Sequence, residues 1–521
     1  MRRSSRKRFI LVFSFLAFNF LFFFSVHHLL SRSDILPSKG LPETRRTVPQ
    51  NRYTFAENLS SVIRHGKPWP FLPSFLPWTR NPNLPPKSCE GWFGNGFTRE
   101  VGLIRPPQEG ARYGFSSTRG WFRCFYSETL LSSVCEAAGL RMDPAKIRMS
   151  KGGEKLESVI GRAEVDEMPH FEPGAFALQV GKLSNGSRRI ASEEFLDRYV
   201  PSGEIATHTM RDLIASIQAV EEDSGELQCD QWVEDTTLLV TRFEYANLFH
   251  TVTDWYSAYV ASRVIGLPKR PHLVFVDGHC KSPLEETWEA LFSSVRYAKS
   301  FTGSVCFRHA ILSPLGYETA LFRGLTDSIS CEGVPARVLS EKPDDGKTAR
   351  LSEFGEMLRA AFGLPMHRDW VKKSSMGFNV LFIRREDYLA HPRHGGKVES
   401  RLSNEEEVYV ALRNWSNGYS KCKVNLVNGL FAHSPMKEQL HAIEDASVII
   451  GAHGAGLTHV IAATPKTAVL EIISIEFRRP HFALISQWKG LDYHAINLPG
   501  SAVDPAEVIS RLSNILWNLG C

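Results

Sequence analysis

The sequence predicts an α/β protein: two Rossmann-like lobes with a cleft between them, preceded by a transmembrane anchor and a stem. Three observations carry this. Apolar, β-branched runs alternate with helix-period segments in two separate series, one from about residue 236 and one from about residue 378. Strands apolar on both faces belong in parallel sheets covered by helices. A chain of 521 residues also exceeds what one hydrophobic core organises, and its first 26 residues belong to neither series.

Those first residues read as a membrane anchor. MRRSSRKR, residues 1–8, carries five basic residues and no acid, and Phe9–Val26 has no charge in 18 residues. The run is longer than the roughly 7–15-residue core of a cleaved signal, and no small-residue cleavage motif follows it. At about 1.5 Å per residue it spans a thin bilayer. The basic flank places the N-terminus in the cytoplasm. The alternative is an unusually long cleaved signal. Residues 27–66 are polar and aperiodic and suit a luminal stem.

The formal charge of +5 equals the charge of the eight-residue tail, so the remainder is balanced at 56 basic and 56 acidic side chains. The overall basicity is therefore no sign of a nucleic-acid partner, none is expected, and any attraction for an anionic ligand must be local. Nine cysteines with no C-x-x-C pair exclude zinc-ribbon spacing. In an oxidising lumen some of them pair and at least one is left over. Sequons at Asn58, Asn185 and Asn414 fit a luminal body.

In chain order, KPWPFLPSFLPWTRNPNLPP combines prolines with Trp69, Phe71, Phe75 and Trp78, and predicts an extended strap lying on the domain. The first series runs strand TTLLVTRFEY, helix ANLFHTVTDWYSAYVASRVIG, strand HLVFVDG, helix LEETWEALFSS and strand CFRHAILSP. Ser352–Pro365 is a helix at the junction. The second series runs strand FNVLFIRR, helix NEEEVYVALRNW, strand KVNLVNG, helix MKEQLHAIEDA, strand SVIIGA, helix LTHVIAAT and strand TAVLEIIS. The lobes are then residues 67–365 and 366–475, with 476–521 as a return segment.

Ligands of open α/β sheets sit beyond the carboxyl ends of the strands, and two strand–helix junctions there carry chemistry. In GAHGAGLTH, Gly451–His459, glycines allow close backbone approach and the following helix offers unpaired amides, which suits a pyrophosphate. The competing reading is a glycine turn with His453 and His459 as satisfied core residues. Glu471, in mid-strand, needs a partner, either a ribose diol or an arginine. At the second junction, Asn247, His250 and Asp254 share one helical face, where a carboxylate one turn from an imidazole makes it a better base. A buried bracing network is the alternative. A third cluster, Arg384, Arg385, Arg393, Lys397 and Arg401, offers cations for a diphosphate, or is a solvated loop; His391 and His394 lack further metal ligands. No Asp-x-Asp occurs, so the usual metal–diphosphate clamp is missing.

SCEGWFGNGFTR, GWFRCFYSETL, MSKGGEKLE, HTMRDLIASI, NLFHTVTDWYSAY, LEETWEALF, REDYLAHPRHGGKV and IIGAHGAGLTH closely resemble the plant N-glycan-modifying members of glycosyltransferase family 61, from about Lys67 to Cys521. The resemblance implies a Golgi type II membrane enzyme of GT-B-like fold. It implies inverting transfer of xylose from UDP-xylose to O2 of the core β-mannose of protein N-glycans, with no required metal. Distant secretory-pathway relatives share landmarks that fall here on Asn247, His250, Asp254, Arg384, Arg401, Asn404, His453, Gly454, Ala455, Gly456 and Glu471. With that chemistry in view, His250 or Asp254 is the base and the other orients it, Asp254 being preferred, with Asn247 beside them. Arg384, Arg401 and the loop from His453 to Thr458 hold the diphosphate, and Glu471 the ribose. Two alternatives are xylosyl or arabinosyl transfer to wall polysaccharide by another member of the family, and a Golgi glycan-binding protein without turnover.

Overall fold

The computed structural model describes residues 66–521 except 79–80, 95, 105–119, 181–187, 204–206, 222–227, 328, 334–349, 367–376 and 386–400. The tail, anchor and stem, Asn58, Asn185, His391, Arg393, His394 and Lys397 lie outside the described residues. All described residues belong to the unit Asn58–Cys521. No described helix is long and apolar enough to cross a membrane.

The protein is mixed α/β. The second series forms a fully parallel five-stranded sheet in the order 424–430, 378–384, 448–452, 468–474, 492–498. Its last strand, Asp492–Leu498, comes from the stretch 476–521, expected only as a return segment. The helix Pro505–Asn518 that follows packs Val508, Leu512, Ile515 and Leu516 beneath the sheet, in one cluster with Val408 and Leu412 of Glu405–Gly418.

The first series is parallel only in part. Strands 310–312, 237–240, 272–275 and 295–297 run parallel. On the other side of 310–312, strands 132–138, 121–127 and 97–104 extend the sheet antiparallel to seven strands. Cys124 and Cys135 are cross-strand partners there and form a disulfide. The run CFRHAILSP is not one strand. Val305–Phe307 joins a separate five-stranded sheet and Ala310–Leu312 joins the seven-stranded one, the switch falling at Arg308–His309. Arg308 pairs with Glu234, and His309 Nε2 meets Glu136 at 2.8 Å, so two polar residues sit where the chain passes between sheets.

Three further disulfides join Cys89–Cys331, Cys229–Cys306 and Cys422–Cys521, leaving Cys280 buried as a free thiol. The strap is anchored by its tryptophans. Trp69 Nε1 donates to Leu267 O at 2.8 Å beneath the Arg263 guanidinium, and Trp78 packs against Gly94. Phe71, by contrast, is 80% exposed, so the aromatics of the strap do not all need burial. Asn414 is exposed within helix Glu405–Gly418.

Candidate active site

The helix opening the first junction is Leu248–Ile265. Asn247 caps it, accepting from Phe249 N at 3.0 Å, and Gly266 ends it in the left-handed region at φ 74°. From Thr251 to Ser262 every residue is buried, as befits a helix that is apolar all round. Residues one turn apart therefore occupy different environments despite sharing a face. His250 is half-buried on the first turn of the helix, ringed by Phe243, Phe249 and Phe322 at centroid distances of 5.0, 5.4 and 6.3 Å. Asp254, one turn deeper, is 2% exposed.

The Asp254 carboxylate accepts from Phe243 N at 2.9 Å and from the amide of Gly316. It thereby ties the end of strand Thr237–Val240, the helix and the turn Gly316–Glu318 together. Burial pushes its carboxyl well above the ordinary range, against the lowering effect of the Phe243 amide. The same strand end is braced by a wholly buried ion pair, Arg242 to Asp277 at 2.7 Å, which sequence reasoning did not identify.

At the other junction, strand Val448–Ala452 runs into Gly454 and a 3-10 helix, Ala455–Ala462, where an α-helix over LTHVIAAT was expected. Gly454, Ala455 and Gly456 are half-exposed at its start, where the first amides lack intrahelical partners. His453 Nδ1 lies 2.5 Å from Glu471 Oε1, and Tyr493 Oη donates to Glu471 Oε2 at 2.6 Å. Glu471 is fully buried, and its two oxygens are met by a histidine and a tyrosine, where the sequence offered an arginine or a ribose diol. Tyr493 lies on the unanticipated strand 492–498, so no sequence pattern announced it.

Successive residues at a strand end face opposite ways, and that parity separates the arginines. Arg384 is held by Glu405 and Glu406 and lies over Tyr409. The guanidinium of Arg385 sits instead against Gly454, where a Cβ would collide with it. Arg401 stacks 3.5 Å above Phe477, and Asn404 pins Val503 through bonds of 2.8 and 3.1 Å. Thr458 is 1% exposed, its hydroxyl among apolar neighbours such as Trp255, Met436 and Leu440. His459 is a core residue bonded to Gly456 O and Gln439 Oε1, each at 2.7 Å.

The two junctions meet through His481, at the start of helix His481–Lys489. Its ring lies 5.3 Å from Phe249 and 6.0 Å from His453. The structure thus gathers His250, His453, Gly454, Glu471, Arg385 and His481, and leaves Arg384 facing its acidic partners and Thr458 inside the core. Burial, with His453, Arg479 and His250 adding to it, pushes His481 down to about 4. A histidine depressed when folded contributes stability above its unfolded value, near 6.5, that is lost as pH falls toward 4. Because the ring is partly solvated, we expect only about 1 kcal/mol. Melting from pH 7 to pH 4.5 checks this: the wild type loses more stability over that range than His481→Gln.

The sequence model described as Glycosyltransferase 61 matches residues 207–470, which take in every gathered group but Glu471 and His481. The chain is 58% identical over 506 residues to the beta-1,2-xylosyltransferase of Arabidopsis thaliana, covering 91% of this chain and 93% of that one. It is 63% identical over 457 residues to a beta-1,2-xylosyltransferase of Oryza sativa subsp. japonica, covering 87% and 84%. Similarity at 22% over 334 residues reaches an EGF domain-specific O-linked N-acetylglucosamine transferase of Gallus gallus, covering 58% and 55%. The chain is a glycosyltransferase and belongs to glycosyltransferase family 61.

Proposed function

We propose that the protein transfers xylose from UDP-xylose to O2 of the core β-mannose of N-glycans, forming a β-1,2 linkage with inversion. The observation that carries this is identity of 58% and 63%, along about nine-tenths of the chain, to proteins named for β-1,2-xylosyl transfer. The meeting of the two junctions supports the chemistry. In this reading residues 67–365 and 366–475 are the lobes of a GT-B-like enzyme, completed by 476–521. Residues 9–26 anchor it in the Golgi membrane as a type II protein.

His250 is the base. It is the half-buried imidazole on the first turn of the helix, whereas Asp254 is enclosed and occupied by two backbone amides. It takes the proton of the acceptor hydroxyl as that oxygen attacks the anomeric carbon. The bond from that carbon to the diphosphate oxygen breaks on the opposite face, and UDP departs. Arg385 and the amides after Gly454 meet the charge that develops on it. Glu471 fixes His453 through Nδ1, leaving Nε2 for the donor. Arg401 and Ala455–Gly456 complete the donor side, and the transfer continues in EDTA.

Gly454→Ala tests the donor assignment. The added Cβ displaces Arg385, so the KM for UDP-xylose rises about tenfold, the loss of one charge-assisted bond. Titration with UDP reads the same loss.

The full chain, incubated with UDP-xylose and an N-glycan, gives product xylosylated at O2 of mannose. Transfer only to wall polysaccharide, or glycan binding without turnover, overturns the proposal.

A further inference from the structure

Beside His250 the surface continues as a strip of half-buried aromatic rings. Phe243 and Phe322 flank the imidazole, and Tyr317 adjoins them at 5.2 and 6.1 Å. Tyr317 Oη donates to Thr207 O at 3.3 Å, and two residues on begins helix Thr209–Ser216. The turn carrying Tyr317 is locked to that helix by His208 Nε2 and Glu318 at 2.7 Å. This is the turn whose Gly316 amide binds Asp254. At about 1.5 Å per residue the helix runs on for roughly 12 Å.

Along it opens a cavity of about 490 Å³, lined among others by Asp212, Gln218, Arg189, His170, Phe171 and Pro173. Its volume lies within the roughly 300–1,000 Å³ usual for ligand sites. The side chains of Asp212 and Gln218 make no hydrogen bond or salt bridge among the described residues. Arg189 is paired with Glu193 at 2.9 Å. Asp212 offsets Arg189, so the cavity has no concentrated positive field for a phosphate. It has planar carboxylate, carboxamide and guanidinium groups over apolar carbon. Those groups pair with adjacent hydroxyls, and aromatic faces attract polarised C–H bonds.

We infer that the strip and the cavity form one track for the outer residues of an extended, neutral oligosaccharide whose reacting sugar sits at His250. This rests on the glycosyl-transfer reading and extends it: the acceptor is gripped well away from the bond being made, on the helix Thr209–Ser216. Asp212 and Gln218 are specificity residues, not catalytic ones.

The test uses the detergent-solubilised full chain carrying both Asp212→Asn and Gln218→Ala. Two acceptors are compared, a branched N-glycan with outer sugars and its trimmed trimannosyl core. The KM for the branched acceptor should rise roughly tenfold. The KM for the trimmed core and for UDP-xylose should stay within about twofold of wild type. An unchanged KM for the branched acceptor, or an equal rise for both, overturns the track. Saturation-transfer NMR of the branched glycan on donor-free protein supplies a readout that needs no turnover. Binding lost in the double variant supports the track even if UDP-xylose proves the wrong donor, and binding retained refutes it. Should the double variant fail to fold, His170→Ala, on the exposed rim, gives the same comparison.

Discussion

His250→Ala lowers kcat by about 10²–10⁴-fold, the range a positioned general base contributes, while UDP binds with unchanged affinity. The split follows from where the imidazole stands. It sits on the first turn of helix Leu248–Ile265, within the aromatic ring of Phe243, Phe249 and Phe322, whereas the proposed donor contacts, Arg385 and Gly454, lie together at the other junction. Removing it takes away a proton acceptor and leaves the anion cradle as it was. Transfer rates under saturating UDP-xylose, with UDP titration in parallel, check both halves. Lost UDP affinity with intact turnover would move His250 to the donor side.

Asp254→Ala has a different signature, because it costs the fold before it costs the chemistry. The change leaves the amides of Phe243 and Gly316 buried without their acceptor, at about 1–3 kcal/mol each. A loss of about 2–6 kcal/mol is a large share of the roughly 5–15 kcal/mol by which native proteins are stable. Gly316→Ala converges on the same point from the other side, since an added Cβ collides with the Asp254 carboxylate. Thermal or denaturant unfolding of Asp254→Ala reads the loss. A variant as stable as wild type but without transfer would restore Asp254 as the base.

The two junctions that meet in the fold were legible because they broke the local rule. Histidine, asparagine and aspartate opening an otherwise apolar helix mark a junction, and so do closely spaced glycines after an apolar strand. What neighbours in sequence share was readable, and what distant segments share was not. Tyr493 satisfies Glu471 from a strand 22 residues away, so the carboxylate's partner could not be read from the pattern around it. The choice between Arg384 and Arg385 turns on strand parity at its last residue, where one step reverses the facing. Asn247, His250 and Asp254 do share a helical face, yet the helix dives into the core and separates their roles by depth. The antiparallel half of the seven-stranded sheet lay outside the strand–helix alternation on which the parallel reading rested, and the division of CFRHAILSP depends on which sheet each half finds.

A crystal structure with UDP bound addresses the account most directly. It should show the diphosphate oxygens within hydrogen-bond distance of Arg385 and of the amides following Gly454, with the His250 ring across the space left for the sugar. A diphosphate seated on Arg384 and the outer face of helix Glu405–Gly418, out of reach of Gly454 and His250, would contradict it.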